Sequence, residues 1–180
     1  MRKTVVAIAL ALISTQALAN SDRDRERAVM SNFSYDYFEA RVGISPVTVG
    51  AQFSKGIHPN AHFVARIDTE MESDYDAAVG LGFHAPVSNW ADVTGEMLFR
   101  AQDFNSTETG VEVNLGIRQW LGPQLEIGGK IGFESIKSEE EVIGSIHARF
   151  HSTELFSLGA EFRINDSYGE QLMMTTRFKF

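Results

Sequence analysis

There is no cysteine among the 180 residues. That one absence removes disulfide staples, thiolate metal centres and thiol nucleophiles together. Positive charge is in deficit, with 16 Lys and Arg against 24 Asp and Glu and a net charge of −8. A phosphate backbone demands the opposite balance, so nucleic acid is not an expected partner. Long apolar runs are missing as well. The longest, "VVAIALALI" at residues 5–13, is about half of the ~20 residues that a membrane helix needs. After it, no stretch sustains apolar residues at i, i+3 and i+4, so helix is not the building element.

What is present at the N-terminus reads as an address. Arg2 and Lys3 precede the apolar run, and Ala17-Leu18-Ala19 forms a small-x-small cleavage pattern. Residues 1–19 are therefore expected to be a signal peptide cut after Ala19. Its removal takes away two cations and no anion. Residues 20–32, "NSDRDRERAVMSN", are polar without periodicity and are expected to form a flexible periplasmic leader. Residues 33–180 then make one domain.

Within that domain the pattern has period two almost throughout. Phe38, Ala40, Val42 and Ile44 alternate with Tyr37, Glu39, Arg41 and Gly43. Val111, Val113, Leu115 and Ile117 alternate with Glu112, Asn114 and Arg118. The last twelve residues, "GEQLMMTTRFKF", place Leu172, Met174, Phe178 and Phe180 on one face, with Gln171, Arg177 and Lys179 between them. Ten such segments of roughly 9–12 residues follow one another, separated by short turns. A β-sandwich also alternates, but its strands are usually ~5–6 residues long. A soluble lipocalin-like barrel would turn the apolar face inward. Export, strand length and alternation together predict an all-β, closed antiparallel transmembrane β-barrel of about ten strands, with eight as the alternative.

In that barrel the charged face lines the lumen. The residues expected there are Glu39, Arg41, Arg66, Asp68, Glu96, Arg100, Glu112, Arg118, Glu126, Lys130, Arg149, Glu161, Arg163 and Arg177. Acids and bases in similar number inside a narrow tube are expected to pair and fill it. Phe178 and Phe180, at the end of an alternating strand, are expected to serve as a signal for the outer-membrane assembly machinery. Outer loops are expected at residues 45–46, 72–74, 103–107, 136–141 and 165–169. Inner turns are expected at 58–60, 86–90, 121–123 and 152–154. Trp90, Trp120, Tyr35, Tyr75 and Tyr168 lie near segment ends, where aromatic girdles form.

Several stretches, in their order and spacing, resemble a family of small porin-like outer-membrane barrels, the diffusible-signal-factor-regulated proteins. They are "SYDYFEARVG", "GIHPNAHFVARID", "VGLGFHAPVSNWADVTGEM", "VEVNLGIRQWLGPQLEIGGKIGFES" and "GAEFRINDSYGEQLMMTTRFKF", which cover most of residues 34–180. The resemblance implies a signal peptide and a barrel in the outer membrane of a Gram-negative bacterium. It implies no catalytic residue. The first loop, Ser45-Pro46, is shorter here than the Gly/Asp-rich excursion usual in that family.

The expected role is thus an integral envelope protein, structural or weakly permeable to small solutes, with a small-solute porin as the alternative. Its expected partners are outer-membrane lipid and lipopolysaccharide, with the assembly machinery and periplasmic chaperones during biogenesis. An enzyme, whether lipid deacylase or protease, is disfavoured, because no Ser or Asp stands beside a histidine at the outer rim. Of the five histidines, His58, His62, His84 and His151 fall near inner turns and only His147 lies deep in a segment. His58 and His62 do not converge as an i, i+4 pair would on a helix, so no metal or cofactor is expected.

Overall fold

The computed structural model describes residues 31–71, 74–104, 106–137 and 139–180. The expected signal peptide and the leader as far as residue 30 lie outside the described residues.

Ten strands follow in chain order. They are β1 (Tyr37–Gly43), β2 (Val49–His58), β3 (Ala61–Thr69), β4 (Tyr75–Ser88) and β5 (Ala91–Asp103), then β6 (Thr107–Trp120), β7 (Leu125–Ile136), β8 (Glu139–His151), β9 (Phe156–Asp166) and β10 (Gly169–Lys179). Each strand pairs antiparallel with the next, and β10 returns to β1, so the sheet is a closed barrel with no free edge. Eight strands, the alternative, is set aside.

Register carries the alternation around the wall. Phe38 stands between Phe178 of β10 and Phe53 of β2, while Glu39 stands between Arg177 and Gln52. A slip of one residue in any pair would turn that strand's charges outward and its apolar residues inward. The consequence is an inverted polarity. Glu39, Asp68, Asp76, Arg100, Glu112 and Glu126 are fully buried. Met97, Ile131 and Ile146 are each more than 60% exposed, as part of an apolar band around the outside. A water-soluble barrel would be unstable with that surface, whereas hydrocarbon matches it. The fold is that of a closed, ten-stranded antiparallel transmembrane barrel.

The interior is not wholly polar. Val64, Ala78 and Leu98 form a small buried apolar cluster, and Ile143 and Met173 are buried too. Gly80 stands between Val64 and Leu98 in register. A methyl group there would lie 2.8 Å from the Leu98 Cα, so the absent side chain is what lets these neighbours close over β4.

Several element bounds differ from the sequence reading. Strand length runs from 7 to 14 residues rather than 9–12. The loop expected at 136–141 is shorter, because Glu139, Glu140 and Glu141 pair with Ile136, Ser135 and Glu134 in the β7–β8 ladder. The turn expected at 86–90 shrinks to 89–90, since β4 runs through Pro86 to Ser88. Proline is tolerated there because β3 pairs with β4 only as far as Phe83, so the second side of Pro86 has no ladder to break.

Candidate functional site

The barrel has two ends. One carries residues 31–36, Phe180 and the turns after β2, β4, β6 and β8; it is called the terminus end here. The other carries the remaining loops.

At the terminus end, residues 31–36 close the mouth. Ser31 donates to Asp92 Oδ2 at 2.5 Å, and the Tyr35 hydroxyl donates to the same oxygen at 2.9 Å. Asn32 donates to the Asn89 carbonyl at 2.7 Å. The Phe33 ring stacks on Trp120 at 5.4 Å, and Tyr35 stacks on His84 at 3.7 Å. The Arg118 guanidinium sits over both rings, 4.6 Å from Phe33 and 5.0 Å from Tyr35. Burial pushes the Tyr35 phenol above its ordinary range; Arg118 opposes that shift and Asp92 adds to it. Tyr35 therefore stays a neutral donor.

Two histidines support this closure. His84 Nε2 lies 2.9 Å from the Pro59 carbonyl, which only accepts, so that nitrogen carries a proton. In a neutral His84 ring, Nδ1 then offers its lone pair to His62 Nδ1, 3.3 Å away. Sequence reasoning placed both histidines near inner turns but not against each other. The register does it, by setting His62 opposite Gly82, two residues from His84 on the same face.

Next to them lies an Arg–Glu–His knot. Glu126 accepts from Arg118 Nε at 2.8 Å and is paired with His151 Nε2 at 2.9 Å; His147 Nε2 is 3.6 Å away. Ser157 faces His151 across the β8–β9 ladder, yet neither its hydroxyl nor His151 Nδ1 makes a hydrogen bond. The Trp120 ring covers this corner at 4.6 Å from His151.

Above the mouth, Glu39 binds Arg149 and Arg177, each at 2.7 Å, and Arg177 lies 3.6 Å over the Tyr37 ring. These residues, with Glu96, Lys130, His147 and Glu161, line an internal cavity of about 90 Å³. That holds on the order of a few waters. Arg149 Nε and Nη1 have no protein partner. Lys130 reaches Glu96 only at 3.9 Å.

Beyond a second void of about 10 Å³ beside Arg66, Asn114 and Arg163, further buried ion pairs follow. Asp68 accepts from Arg41 at 2.8 Å and from Arg163 at 3.1 Å, and Arg163 also lies 3.6 Å from Glu161. Arg66 clasps Glu112 with two hydrogen bonds, at 2.5 and 3.2 Å. Arg100 is held by Asp76, at 2.6 and 2.8 Å, by Glu112 at 3.3 Å and by Glu134. Ser167 takes a further bond from Arg100 at 2.5 Å, and Tyr168 caps this end by donating to Asp74 at 2.7 Å.

The structure thus brings the named charged residues to one face and joins them in clusters. It adds Asp76, Asp92 and Glu134, which are buried on the same face and were not among the residues expected there. The five girdle aromatics divide. Trp90 is exposed and Tyr75 lies on the outward register, but Tyr35 and Tyr168 are buried and Trp120 packs under Phe33. Strand parity is the overlooked signal for Trp120, since it shares a face with Arg118 and Asn114. Tyr168 is drawn in by the carboxylate of Asp74. Among the described residues, no three His, Asp or Glu side chains are grouped to hold a metal.

No sequence family and no curated protein matches this chain. Solved structures do. The KdgM porin is similar at a TM-score of 0.53, with 8% identity over 80% of this chain and 99% of that one. The NanC porin is similar at 0.49, also 8% identical, over 80% and 98%. The outer-membrane protein Omp33 of Acinetobacter baumannii is similar at 0.44, 10% identical, over 81% and 98%. At such identities the likeness is one of fold, and it rests on the KdgM porin.

Proposed function

We propose that this protein is an integral outer-membrane barrel of a Gram-negative envelope whose lumen is filled by its own ion pairs, so that its role is structural, with at most weak passage of small solutes. The observation that carries the reading is the set of buried ion-pair clusters around Glu39, Asp68 and Arg100, with voids of about 90 Å³ and 10 Å³ among them. Moving a paired charge aside to admit a solute would strand its buried partner. The resemblance of its motif order to the diffusible-signal-factor-regulated barrels is in keeping with this reading. Phe178 and Phe180 serve, in this reading, as the assembly signal. Lipopolysaccharide and outer-membrane lipid are its surroundings, and the assembly machinery and periplasmic chaperones its partners in biogenesis. No enzymatic role is part of the proposal. Planar-bilayer recording of the purified barrel tests the reading. A silent or rarely flickering trace is expected; steady unitary openings would replace it with the second reading, a small-solute porin. That reading draws on the loose Lys130–Glu96 contact beside the cavity.

A further inference from the structure

The lipid-facing wall is uneven. Across β2 to β5, one cross-strand row reads Ala51, Ile67, Ala77 and Ala101. The next row toward the terminus end holds Phe38, Phe53 and Phe99, and Ala65 interrupts it. Small side chains flanked by large ones leave an apolar groove of about 500 Å³ on the outside of the barrel. That lies within the ~300–1,000 Å³ of small-molecule sites.

One step further along β2, on the same outward face, stands Lys55, next to Phe63 in register. It is the only outward-facing cation on the described strands. Its ammonium lies 3.4 Å from Asp36 Oδ1 and 5.0 Å over the Phe180 ring, with about half of the side chain exposed. Asp36 also accepts from the Gly56 amide through Oδ1, at 2.7 Å. A cation and a carboxylate thus stand side by side one outward position beyond Phe53 of the groove wall, toward the terminus end, where lysines reach out of hydrocarbon toward headgroups.

We infer that this groove binds one zwitterionic, ethanolamine-type phospholipid. One acyl chain lies along Ala51, Ala77 and Ala101 and passes the gap at Ala65. The lipid phosphate rests on Lys55, and its ammonium on Asp36. An anionic headgroup without an amine would meet Lys55 but be repelled by Asp36, which is the reason for assigning the zwitterion. The inference takes the transmembrane fold as given and does not depend on whether the lumen conducts.

The full-length protein, extracted from membranes and exchanged into nanodiscs of mixed phosphatidylethanolamine, phosphatidylglycerol and phosphatidylcholine, is examined by native mass spectrometry after release. One retained phosphatidylethanolamine per barrel is expected. Lys55→Gln and Ala65→Phe should each lower its occupancy at least tenfold. Both residues face outward, and folding of each variant is checked by heat-modifiable migration on a gel. Equal retention of phosphatidylglycerol, loss of selectivity for the amine, a second copy of the chain seated on this face, or a folded barrel with no retained lipid would each overturn the inference. A chain that does not insert at all would overturn the membrane reading as well, and the gel separates the two failures.

Discussion

Asp68 is the residue on which two walls of the barrel meet. It lies on β3, and its Oδ2 takes Arg41 of β1 and Arg163 of β9. Replacing it by alanine leaves those two guanidinium groups facing each other in a space closed to water. Asp68→Ala is expected to cost about 3–5 kcal/mol, the range for breaking a buried ion pair by removing one partner. Reversible urea unfolding in lipid vesicles measures it. Gly80 makes a second test of the interior. A methyl group there meets the backbone of β5, which cannot swing aside as a side chain would. Gly80→Ala should destabilise by about 1–3 kcal/mol, the usual cost of overpacking. Tyr35 adds a pH statement. Its phenol is raised above the ordinary value by burial, so the stability it contributes is full below about pH 10 and is lost only as pH climbs beyond that. Closure of the terminus end is thus expected to be insensitive to pH across the neutral range as far as Tyr35 is concerned. Near-ultraviolet absorbance of the phenolate during an alkaline titration tests this, and an early-titrating tyrosine lost in Tyr35→Phe would contradict it.

At the scale of the strand, one residue decides which solvent a side chain meets. Val113 and Glu112 are neighbours on β6, and the first is well exposed while the second is fully buried. Val113→Arg should cost about 2–4 kcal/mol, as arginine does near the bilayer midplane. Glu112→Gln keeps the size and removes the charge that Arg66 and Arg100 share. Comparing the two in the same vesicle unfolding experiment separates lipid-face from lumen effects. The strands themselves were legible because period two is a local property, visible in residues such as Phe38 to Ile44. The interior apolar residues were less so. Val64, Leu98 and Ile143 sit on the polar register, and only the cross-strand partners around them, such as Gly80, explain why an apolar side chain belongs there. Likewise Trp120 and Trp90 look alike in sequence, both next to a turn. Their parity separates them, and the ring that stacks on Trp120 is Phe33, 87 positions away along the chain. Pairings of that kind depend on closure of the sheet and have no local pattern to announce them.

At the scale of the whole molecule, the absence of cysteine becomes an advantage for measurement. A single Thr94→Cys places one thiol on the wall of the internal cavity. Modification by a small charged thiol reagent should be slow while residues 31–36 occupy the mouth. It should quicken by at least tenfold in a background of Phe33→Ala and Tyr35→Ala, which removes both rings that Arg118 covers. An unchanged rate would show that the segment does not control access.

The ion pairs of the lumen have a further consequence for how the molecule comes into being. Glu39 on β1 is neutralised by β8 and β10, and Asp68 on β3 by β1 and β9. Arg149 and Arg177 reach Glu39, and Arg163 reaches Asp68, only across the β1–β10 seam of a finished cylinder. A half-built sheet in hydrocarbon would carry bare carboxylates and guanidinium groups, each with a large solvation penalty. Electrostatics therefore disfavours every intermediate between an unrolled chain and a complete ring, and tryptophan fluorescence and strand dichroism should report one coincident transition.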